Sequence, residues 1–302
     1  MNLTFDLKTK ERLDKFLTEQ LTGQSRSQIK KLIQAGLVTV NDKPAAVHHW
    51  LRLGDKIVIG KAAERVTKKL APLPEIIFQD QDFLVISKPA GLLVQPTARE
   101  KITLISWLLK HYPLVKEFGD SQRPGLVHRL DRDVSGLMVI ALSKKAYESL
   151  KKQFQERSVD KKYLALVHGR VSNDDGRITS RLDKDSQTGL MKALTAKDQK
   201  EQGRPAVTHY RVLKRFLNYS LLEVKIITGR THQIRAHLQS IGHSIVGDPL
   251  YLTKDIKKKK KTYLNRPFLH AYQLTFHDLE GKGRQYYSPL PEQLNDYLKA
   301  LK

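Results

Sequence analysis

A short polar segment in the middle of the chain gathers the side chains best suited to chemistry. Residues 125–137 read Gly-Leu-Val-His-Arg-Leu-Asp-Arg-Asp-Val-Ser-Gly-Leu and lead directly into the apolar run Leu137–Leu142. Charged side chains beside a core strand are typical of functional sites, because a rigid strand holds the loop that carries them. A carboxylate such as Asp131 could act there as a nucleophile or as a base. A structural Asp–Arg pairing in a turn explains the same residues equally well.

The chain lacks the sequence patterns of several other chemistries. It contains no cysteine, which excludes disulfides and thiolate metal sites. It contains no GxxxxGK[ST] loop, no GxGxxG after a strand, no HExxH and no GxSxG. His232 and His237 are five residues apart, so they do not share one helix face as a zinc-binding pair would. We therefore expect neither a cofactor nor a metal, and chemistry carried by carboxylate, arginine, tyrosine or histidine.

The net charge favours a polyanionic partner. Lys and Arg outnumber Asp and Glu by 54 to 31, which gives a formal charge of +23. Such an excess favours nucleic acid over an acidic membrane surface or a role in solubility, but it does not separate DNA from RNA. No run approaches the roughly 20 apolar residues of a membrane span. We expect a cytoplasmic, monomeric protein with no membrane contact and no obligate protein partner.

Residues 1–70 read as a compact unit of two helices followed by a small sheet. Leucine and phenylalanine recur at helical spacing from residue 13 to residue 21. Ser25 and Gln28 fit a capping box at the start of a second helix, and Gly36 suits its end. Short strands are expected at Leu37–Val40 and Ile57–Ile59. The sequence predicts a small α/β domain.

The second helix of this unit carries three basic side chains off its apolar stripe. They are Arg26, Lys30 and Lys31, within a unit whose 14 basic and 7 acidic residues give it a charge of +7. A solvated face would explain them, but in so basic a chain we favour a phosphate-binding face.

A second domain is expected over residues 71–302. The segment Lys61–Pro74 has the composition of a linker, and the five lysines Lys257–Lys261 are typical of a solvated loop. Apolar runs predict strands at Phe83–Ser87, Leu137–Leu142, Tyr163–Val167, Leu221–Ile227 and Phe268–Phe276. Helical patterns lie at Ser143–Glu156, Thr231–Ile241 and Pro291–Leu301. The order of these elements predicts an α+β domain rather than strict βαβ alternation.

Several motifs resemble those of one known family. The segment around Asp131 resembles the H-R-L-D-x-x-[ST]-S-G signature of the RluA/RluD-type pseudouridine synthases. Other family motifs lie before and after this segment, in the family's order, over about residues 75–280. They are Asp-Phe-Leu-Val-Ile-Ser-Lys-Pro-Ala-Gly-Leu-Leu-Val-Gln-Pro at 82–96, Lys-Tyr-Leu-Ala at 162–165, Pro-Ala-Val-Thr-His-Tyr at 205–210, Thr-Gly-Arg-Thr-His-Gln-Ile-Arg-Ala-His at 228–237, Val-Gly-Asp at 246–248 and Leu-His-Ala at 269–271. The N-terminal unit is similar to the alpha-L RNA-binding domain of ribosomal protein S-four.

The resemblance implies a mixed, largely antiparallel catalytic sheet and an isomerase that needs no cofactor. It implies Asp131 as the catalytic carboxylate, as nucleophile or as base on the sugar, and Tyr163 as the ring that stacks on uracil. Arg230 is expected to form a bidentate pair with Asp131. Arg129 is expected to help displace the target nucleotide. His128 is interpreted either as structural or as an RNA contact.

By the same resemblance, the substrate is expected to be a hairpin of large-subunit (23S) ribosomal RNA or an assembling large subunit. Two other classes remain as alternatives. A non-catalytic ribosome-assembly factor would need the basic surface but not Asp131, Tyr163 and Arg230 together. A DNA-binding regulator would need a recognition helix with base-reading side chains, and the N-terminal helices resemble none.

Overall fold

The computed structural model describes residues 2–7, 9–34, 36–60, 73–97, 100–194, 202–253, 255–256 and 264–301. The predicted linker, apart from its last two residues, and the five-lysine run lie outside these ranges. The chain divides into two compact units, residues 1–70 and residues 71–302. Within the described ranges, no helix has the length and hydrophobicity that a membrane crossing requires.

The N-terminal unit combines two short helices with small antiparallel sheets. Its strands are Asn2–Thr4 (β1), Glu11–Arg12 (β2), Val38–Val40 (β3), Lys43–Pro44 (β4), Trp50–Leu51 (β5) and Lys56–Ile59 (β6), and its helices are Leu13–Gln20 (α1) and Arg26–Gln34 (α2). The strand order is β1-β6-β3-β4, with β2 and β5 paired separately. The helices bury one apolar face each against this sheet, around Phe5, Leu17 and Ile29.

Local signals in the sequence determine where these elements begin and end. The Ser25 amide donates to Gln28 Oε1 at 2.7 Å, and the Gln28 amide lies 3.4 Å from Ser25 Oγ, so the predicted capping box is confirmed. Gly36 follows α2 with a φ of 70°, as expected for a residue that ends a helix. Asn41 and Asp42 also have positive φ and form the tight turn between β3 and β4.

The second unit is built around one large sheet. Its strands are Glu75–Gln79 (β7), Phe83–Lys88 (β8), Gly119–Asp120 (β9), Arg123–Pro124 (β10), Ser135–Ala141 (β11), Asp160–His168 (β12), Asp175–Lys184 (β13), Met191–Ala193 (β14), Arg204–Arg215 (β15), Tyr219–Ile226 (β16), Leu269–His277 (β17) and Gly283–Tyr287 (β18). Its helices are Leu104–His111 (α3), Lys144–Glu156 (α4), Gln233–Ser240 (α5) and Glu292–Lys299 (α6).

The large sheet is mixed and mainly antiparallel, as predicted. Its order is β14-β13-β15-β16-β12-β17-β11-β8-β7, and β18 pairs with β17. β11 and β17 run parallel, whereas the other pairings are antiparallel. The five predicted strands and three predicted helices of this unit are all present. The long strands β13 and β15 were not predicted, because only two residues of each strand are buried and many charged residues mask the apolar period.

At the centre of the sheet, β17 lies between β11, which follows the Asp131 loop, and β12, which carries Tyr163. Every residue of β11 is buried, and Gly136 pairs with Ala271 of β17. Ala271 in turn pairs with Tyr163 of β12. Gly136 has a φ of 120°, and a Cβ at this position would collide with the backbone carbonyl of Ala271. This glycine therefore permits the close approach of β11 and β17 directly after the polar segment that carries Asp131.

Candidate active site

A cavity of about 540 Å³ opens beside the polar segment that precedes β11. Its walls come from that segment, the end of α4, the start of β12 and the chain between β16 and α5. Asp131, Tyr163 and Arg230 all line it, although 99 residues separate Asp131 from Arg230 along the sequence. The structure therefore brings the three predicted catalytic residues to one pocket.

The loop that carries Asp131 is held by a buried lysine at the end of β8. Lys88 is fully buried, and its Nζ donates to the carbonyls of Pro89, Leu92 and Arg132 at 2.9, 3.0 and 3.0 Å. Burial lowers the pKa of Lys88 to about 7. Since one of these carbonyls belongs to the residue after Asp131, Lys88 fixes the backbone of the loop.

Asp131 is paired with Arg235 rather than with Arg230. Nη1 of Arg235 donates to Asp131 Oδ2 at 3.3 Å, while Nε and Nη2 of the same guanidinium donate to Asp248 at 2.6 and 2.8 Å. Asp248 is buried, and its Oδ1 also accepts the amides of Leu250 and Tyr251. We call Asp131, Arg235 and Asp248 the ion-pair chain, because one guanidinium joins the two carboxylates.

The charge of Arg235 is maintained despite its burial. Arg235 is only 6% exposed, and burial by itself would lower the pKa of its guanidinium. The hydrogen bonds and negative charges of Asp248 and Asp131 outweigh that effect and raise the pKa of Arg235. Arg235 also lies over the Tyr251 ring, with 4.8 Å between its Cζ and the ring centroid. These contacts hold a fixed cation beside Asp131, whose side chain remains 19% exposed to the cavity.

His232 lies next to the ion-pair chain but does not supply its positive charge. Its Nε2 is 3.8 Å from Asp131 Oδ2, and its Nδ1 shares a hydrogen bond of 2.9 Å with the Tyr251 hydroxyl. Burial lowers the pKa of His232, and the negative charge of Asp131 opposes that shift without reversing it. The imidazole is therefore neutral at pH 7. His232 occupies the N-cap position of α5 but makes no side-chain capping bond to the helix.

Tyr163 forms part of the wall beside Asp131. The residue is 5% exposed, and it lies on β12 between β16 and β17 at the centre of the sheet. Burial raises the pKa of the Tyr163 hydroxyl, and the charge of Asp131 raises it further. The phenol therefore stays protonated, which leaves a neutral ring on a rigid strand as the surface that Tyr163 offers to the cavity.

The predicted pairing of Arg230 with Asp131 is wrong. Among the described residues, no ion pair joins Arg230 to a carboxylate, and its Nε donates instead to the carbonyl of Pro205 at 3.3 Å. The chain turns through His232, which has a φ of 52°, immediately before α5 begins. Arg235 lies within α5 and reaches inward from it to Asp131. Arg230 lies before this turn, and its guanidinium bonds to a backbone carbonyl at the start of β15.

The two remaining pocket residues predicted to contact RNA differ in their surroundings. Arg129 is exposed at the cavity, and its Nη1 donates to Gln95 Oε1 at 3.1 Å. The His128 ring stacks on Phe154 at 4.7 Å, and its Nε2 accepts the Val139 amide at 3.1 Å. Burial lowers the pKa of His128 to about 3, so the ring is neutral. These contacts support a structural role for His128, while Arg129 retains a free face toward the cavity.

The three basic residues predicted on α2 lie in the N-terminal unit. Lys31 is exposed and Lys30 is half-buried. Arg26 donates to the fully buried Asp14 at 3.0 Å, and Arg12 donates to the same carboxylate at 3.0 Å. The guanidinium of Arg26 is thus held in place at the surface of this unit. Its contact with RNA stays a prediction.

Sequence reasoning missed Arg235 and Asp248 as functional residues. Both lie in segments that had been recognised, Arg235 in Arg-Thr-His-Gln-Ile-Arg and Asp248 in Val-Gly-Asp. The first of these segments contains two arginines, and the spacing alone did not show which of them faces Asp131. A search for an acid able to fix an inward-facing arginine would have pointed to Asp248.

Comparisons with known proteins agree with this architecture. A family model described as RNA pseudouridylate synthase matches residues 82–240, and an S4 domain model matches residues 11–57. The chain is 35% identical to an uncharacterized RNA pseudouridine synthase, YlyB, of Bacillus subtilis, over 97% of this chain and 94% of that protein. It is 36% identical to ribosomal large subunit pseudouridine synthase D of Neisseria meningitidis, over 96% of this chain and 79% of that protein.

A solved structure shares the fold of most of this chain. The structure of human RNA pseudouridylate synthase domain containing 1 superposes with a TM-score of 0.59 at 26% identity. The match covers 75% of this chain and 95% of the human chain.

Proposed function

The chain belongs to the RNA pseudouridylate synthase family, and on that premise we propose that it isomerises uridines in a hairpin of large-subunit ribosomal RNA, with Asp131 as the catalytic carboxylate. In this reaction the bond between uracil and the anomeric carbon of ribose breaks, and the base turns and rejoins the sugar through its carbon 5. Every atom of the substrate is kept in the product. The observation that carries the proposal is an exposed edge of Asp131 in the cavity, backed by the buried cation Arg235.

The choice of substrate rests on the relatives and on charge. The Neisseria meningitidis relative is named for the ribosomal large subunit, and so is a Haemophilus influenzae relative with 34% identity. The net charge of +23 favours an extended polyanion, because each neutralised phosphate releases counterions. The N-terminal unit, which matches the S4 domain model, adds a charge of +7 to the chain.

Arg235 gives Asp131 the properties that the reaction requires. Both roles open to a carboxylate here, attack on the anomeric carbon or removal of a proton from the sugar, need the ionised form. A buried guanidinium favours that form and also aims the carboxylate, because charge-assisted hydrogen bonds are short and directional. Asp248 acts as a positioning residue, since it holds two of the guanidinium nitrogens and leaves the third for Asp131.

Tyr163 retains the detached base in the pocket. A neutral ring fixed on β12 offers a flat face against which uracil can stack while it turns. Since the hydroxyl stays protonated, the ring adds no second negative charge beside Asp131. Arg129 lines the cavity on the loop that also carries Asp131, and its side chain is suited to fill the space that a flipped nucleotide leaves in the RNA.

The test is release of tritium from RNA labelled at carbon 5 of uracil. We expect the wild type to release tritium from a large-subunit rRNA transcript and the Asp131→Asn variant to release none, with RNA binding nearly unchanged. Release by both proteins would remove Asp131 from the mechanism. Absence of release by the wild type from every rRNA substrate tried, together with intact RNA binding, would favour the assembly-factor alternative.

A further inference from the structure

Arg230, which does not pair with Asp131, belongs to a different group of side chains. It lines the cavity together with Arg157, the residue that ends α4. Its Nε donates to the carbonyl of Pro205, the residue next to Arg204. Arg157 and Arg230 therefore border the cavity, and Arg204 lies outside its lining, next to the residue whose carbonyl anchors Arg230. We call these three residues the arginine rim.

The rim concentrates positive charge without compensation. Across the residues that the structure describes, none of the three guanidinium groups forms an ion pair with a carboxylate. Partial burial lowers the pKa of Arg230, and the positive charges of Arg204 and Arg157 lower it further. Like charges held together in this way repel one another, so the cluster is stabilised when an anion binds between them.

The local backbone presents these side chains rather than burying them. Arg157 adopts a left-handed conformation with a φ of 62°, which is uncommon for arginine and ends α4 at the cavity. Arg157 and Arg204 are exposed, and Arg230 is half-buried with one nitrogen anchored on a carbonyl. The terminal nitrogens of Arg230 have no hydrogen-bond partner among the described residues, and they form a fork, the geometry that binds phosphate oxygens.

We propose that Arg157, Arg204 and Arg230 form a phosphodiester-binding site that grips the RNA backbone next to the nucleotide held in the cavity. This inference rests on the proposed function, because it assumes that the cavity receives a nucleotide of an RNA strand. A phosphodiester suits the site because each linkage carries one negative charge and oxygens that accept hydrogen bonds from arginine. Contacts of this kind fix the position of the strand without reading its sequence.

The first test measures how RNA affinity depends on salt. The probe is an unmodified transcript of large-subunit rRNA, and the protein is the full chain. Each lost phosphate contact reduces the slope of log affinity against log salt by about 0.7 to 0.9. We expect a reduction of about 2.1 to 2.7 for the triple variant Arg157→Gln, Arg204→Gln, Arg230→Gln and of about 0.7 to 0.9 for Arg157→Gln alone.

The matched control is Arg170→Gln. Arg170 is exposed like Arg157 but follows the far end of β12, away from the end that carries Tyr163. For Arg170→Gln, the slope of log affinity against log salt should equal that of the wild type. Unchanged slopes in the rim variants, or an equal reduction in the control, would overturn the proposal. A Tm measurement on each variant checks that the domain is folded before binding is compared.

The second test separates strand binding from chemistry. In the tritium-release assay, the triple variant should raise KM about tenfold or more and change kcat less than threefold. A fall in kcat at unchanged KM would overturn the phosphate-binding role. A wild type that releases no tritium would defeat the proposed function, whereas the salt slopes would still test the rim.

Free inorganic phosphate shares the chemistry of the RNA backbone, so a third measurement distinguishes the two. At equal phosphate concentration and ionic strength, a uridine oligonucleotide should raise the Tm of the wild type more than sodium phosphate does, because a strand contacts the cavity as well as the rim. A larger rise with sodium phosphate than with the oligonucleotide, lost in the triple variant, would assign the rim to free phosphate instead and overturn the RNA assignment.

Discussion

Two sets of arginines border the same cavity in opposite settings. In the ion-pair chain, Arg235 is buried and shared between two carboxylates, so its position is fixed before any substrate arrives. In the arginine rim, Arg230 has two like-charged neighbours and no acidic partner within the described residues. The role of each arginine in this cavity therefore depends on whether a carboxylate pairs with its guanidinium, not on the residue type alone. A paired arginine orients a reacting group, whereas an unpaired cluster is suited to recruiting an anion.

The strongest test of this contrast exchanges each arginine for lysine. Arg235→Lys should lower kcat about 100-fold, because one ammonium cannot donate in a fork to Asp248 and reach Asp131 at the same time; such a loss corresponds to about 2.7 kcal/mol. Arg230→Lys keeps the charge of the rim and should leave kcat within threefold. Tritium release under saturating RNA measures both. Equal losses of kcat in the two variants would abolish the distinction between the two sets.

A second test removes the acid that positions Arg235. Asp248→Asn should lower kcat roughly tenfold, because the guanidinium loses its charged anchor while Asp131 itself is untouched. The Tm should fall by roughly 5 °C, since a charge-assisted hydrogen bond contributes about 1.5–3 kcal/mol. The exposed Asp175, mutated to Asn, is the matched control and should change neither quantity. A normal kcat in Asp248→Asn would show that Arg235 needs no positioning.

A third test concerns His232, the other nitrogen base beside Asp131. Burial lowers the pKa of His232 below its ordinary value. The ring is therefore neutral at pH 7 and contributes little positive charge beside Asp131. His232→Gln should therefore lower kcat less than threefold and leave the pH dependence of kcat between pH 6 and 8 unchanged. A step near pH 6.5 in the wild type that disappears in the variant would assign His232 a titrating role.

The smallest expected effect is a gain in stability at the rim. Without RNA, Arg157→Gln removes one repelling charge and should raise the Tm by about 1 °C, as expected from a like-charge pair of 0.2–0.5 kcal/mol. Differential scanning calorimetry at low salt measures this shift, and high salt should remove it. A lower Tm in this variant would mean that Arg157 has a stabilising partner and that the rim is not under repulsion.

The sequence predicted those parts of the fold that depend on neighbouring residues. Ser25 with Gln28 determines the start of α2 through two local hydrogen bonds, and the short apolar run from Leu137 favours a buried strand. These signals act over three or four residues, so they can be read directly. The strands β13 and β15 were missed because their pairing partners, not their own composition, keep them in the sheet.

The site was predicted less completely, for a geometric reason. Asp131 and Tyr163 were identified through motifs and meet in one cavity, but the choice between Arg230 and Arg235 depended on where α5 begins. The chain adopts a left-handed conformation at His232, immediately before α5, and such conformations are too uncommon outside glycine to be placed at one residue from the sequence. Arg235, within α5, therefore faces the carboxylate, whereas Arg230, before the helix, does not.

The packing of Gly136 against Ala271 has a consequence for the width of the cavity. Along the sheet, Ala271 stands between Gly136, which follows the Asp131 loop, and Tyr163, which supplies the opposing ring. Because a hydrogen atom is all that fits at Gly136, any larger side chain there would act as a wedge between the two strands. The distance between the Asp131 loop and the Tyr163 ring therefore depends on the absence of a side chain at Gly136, a residue that does not itself line the cavity.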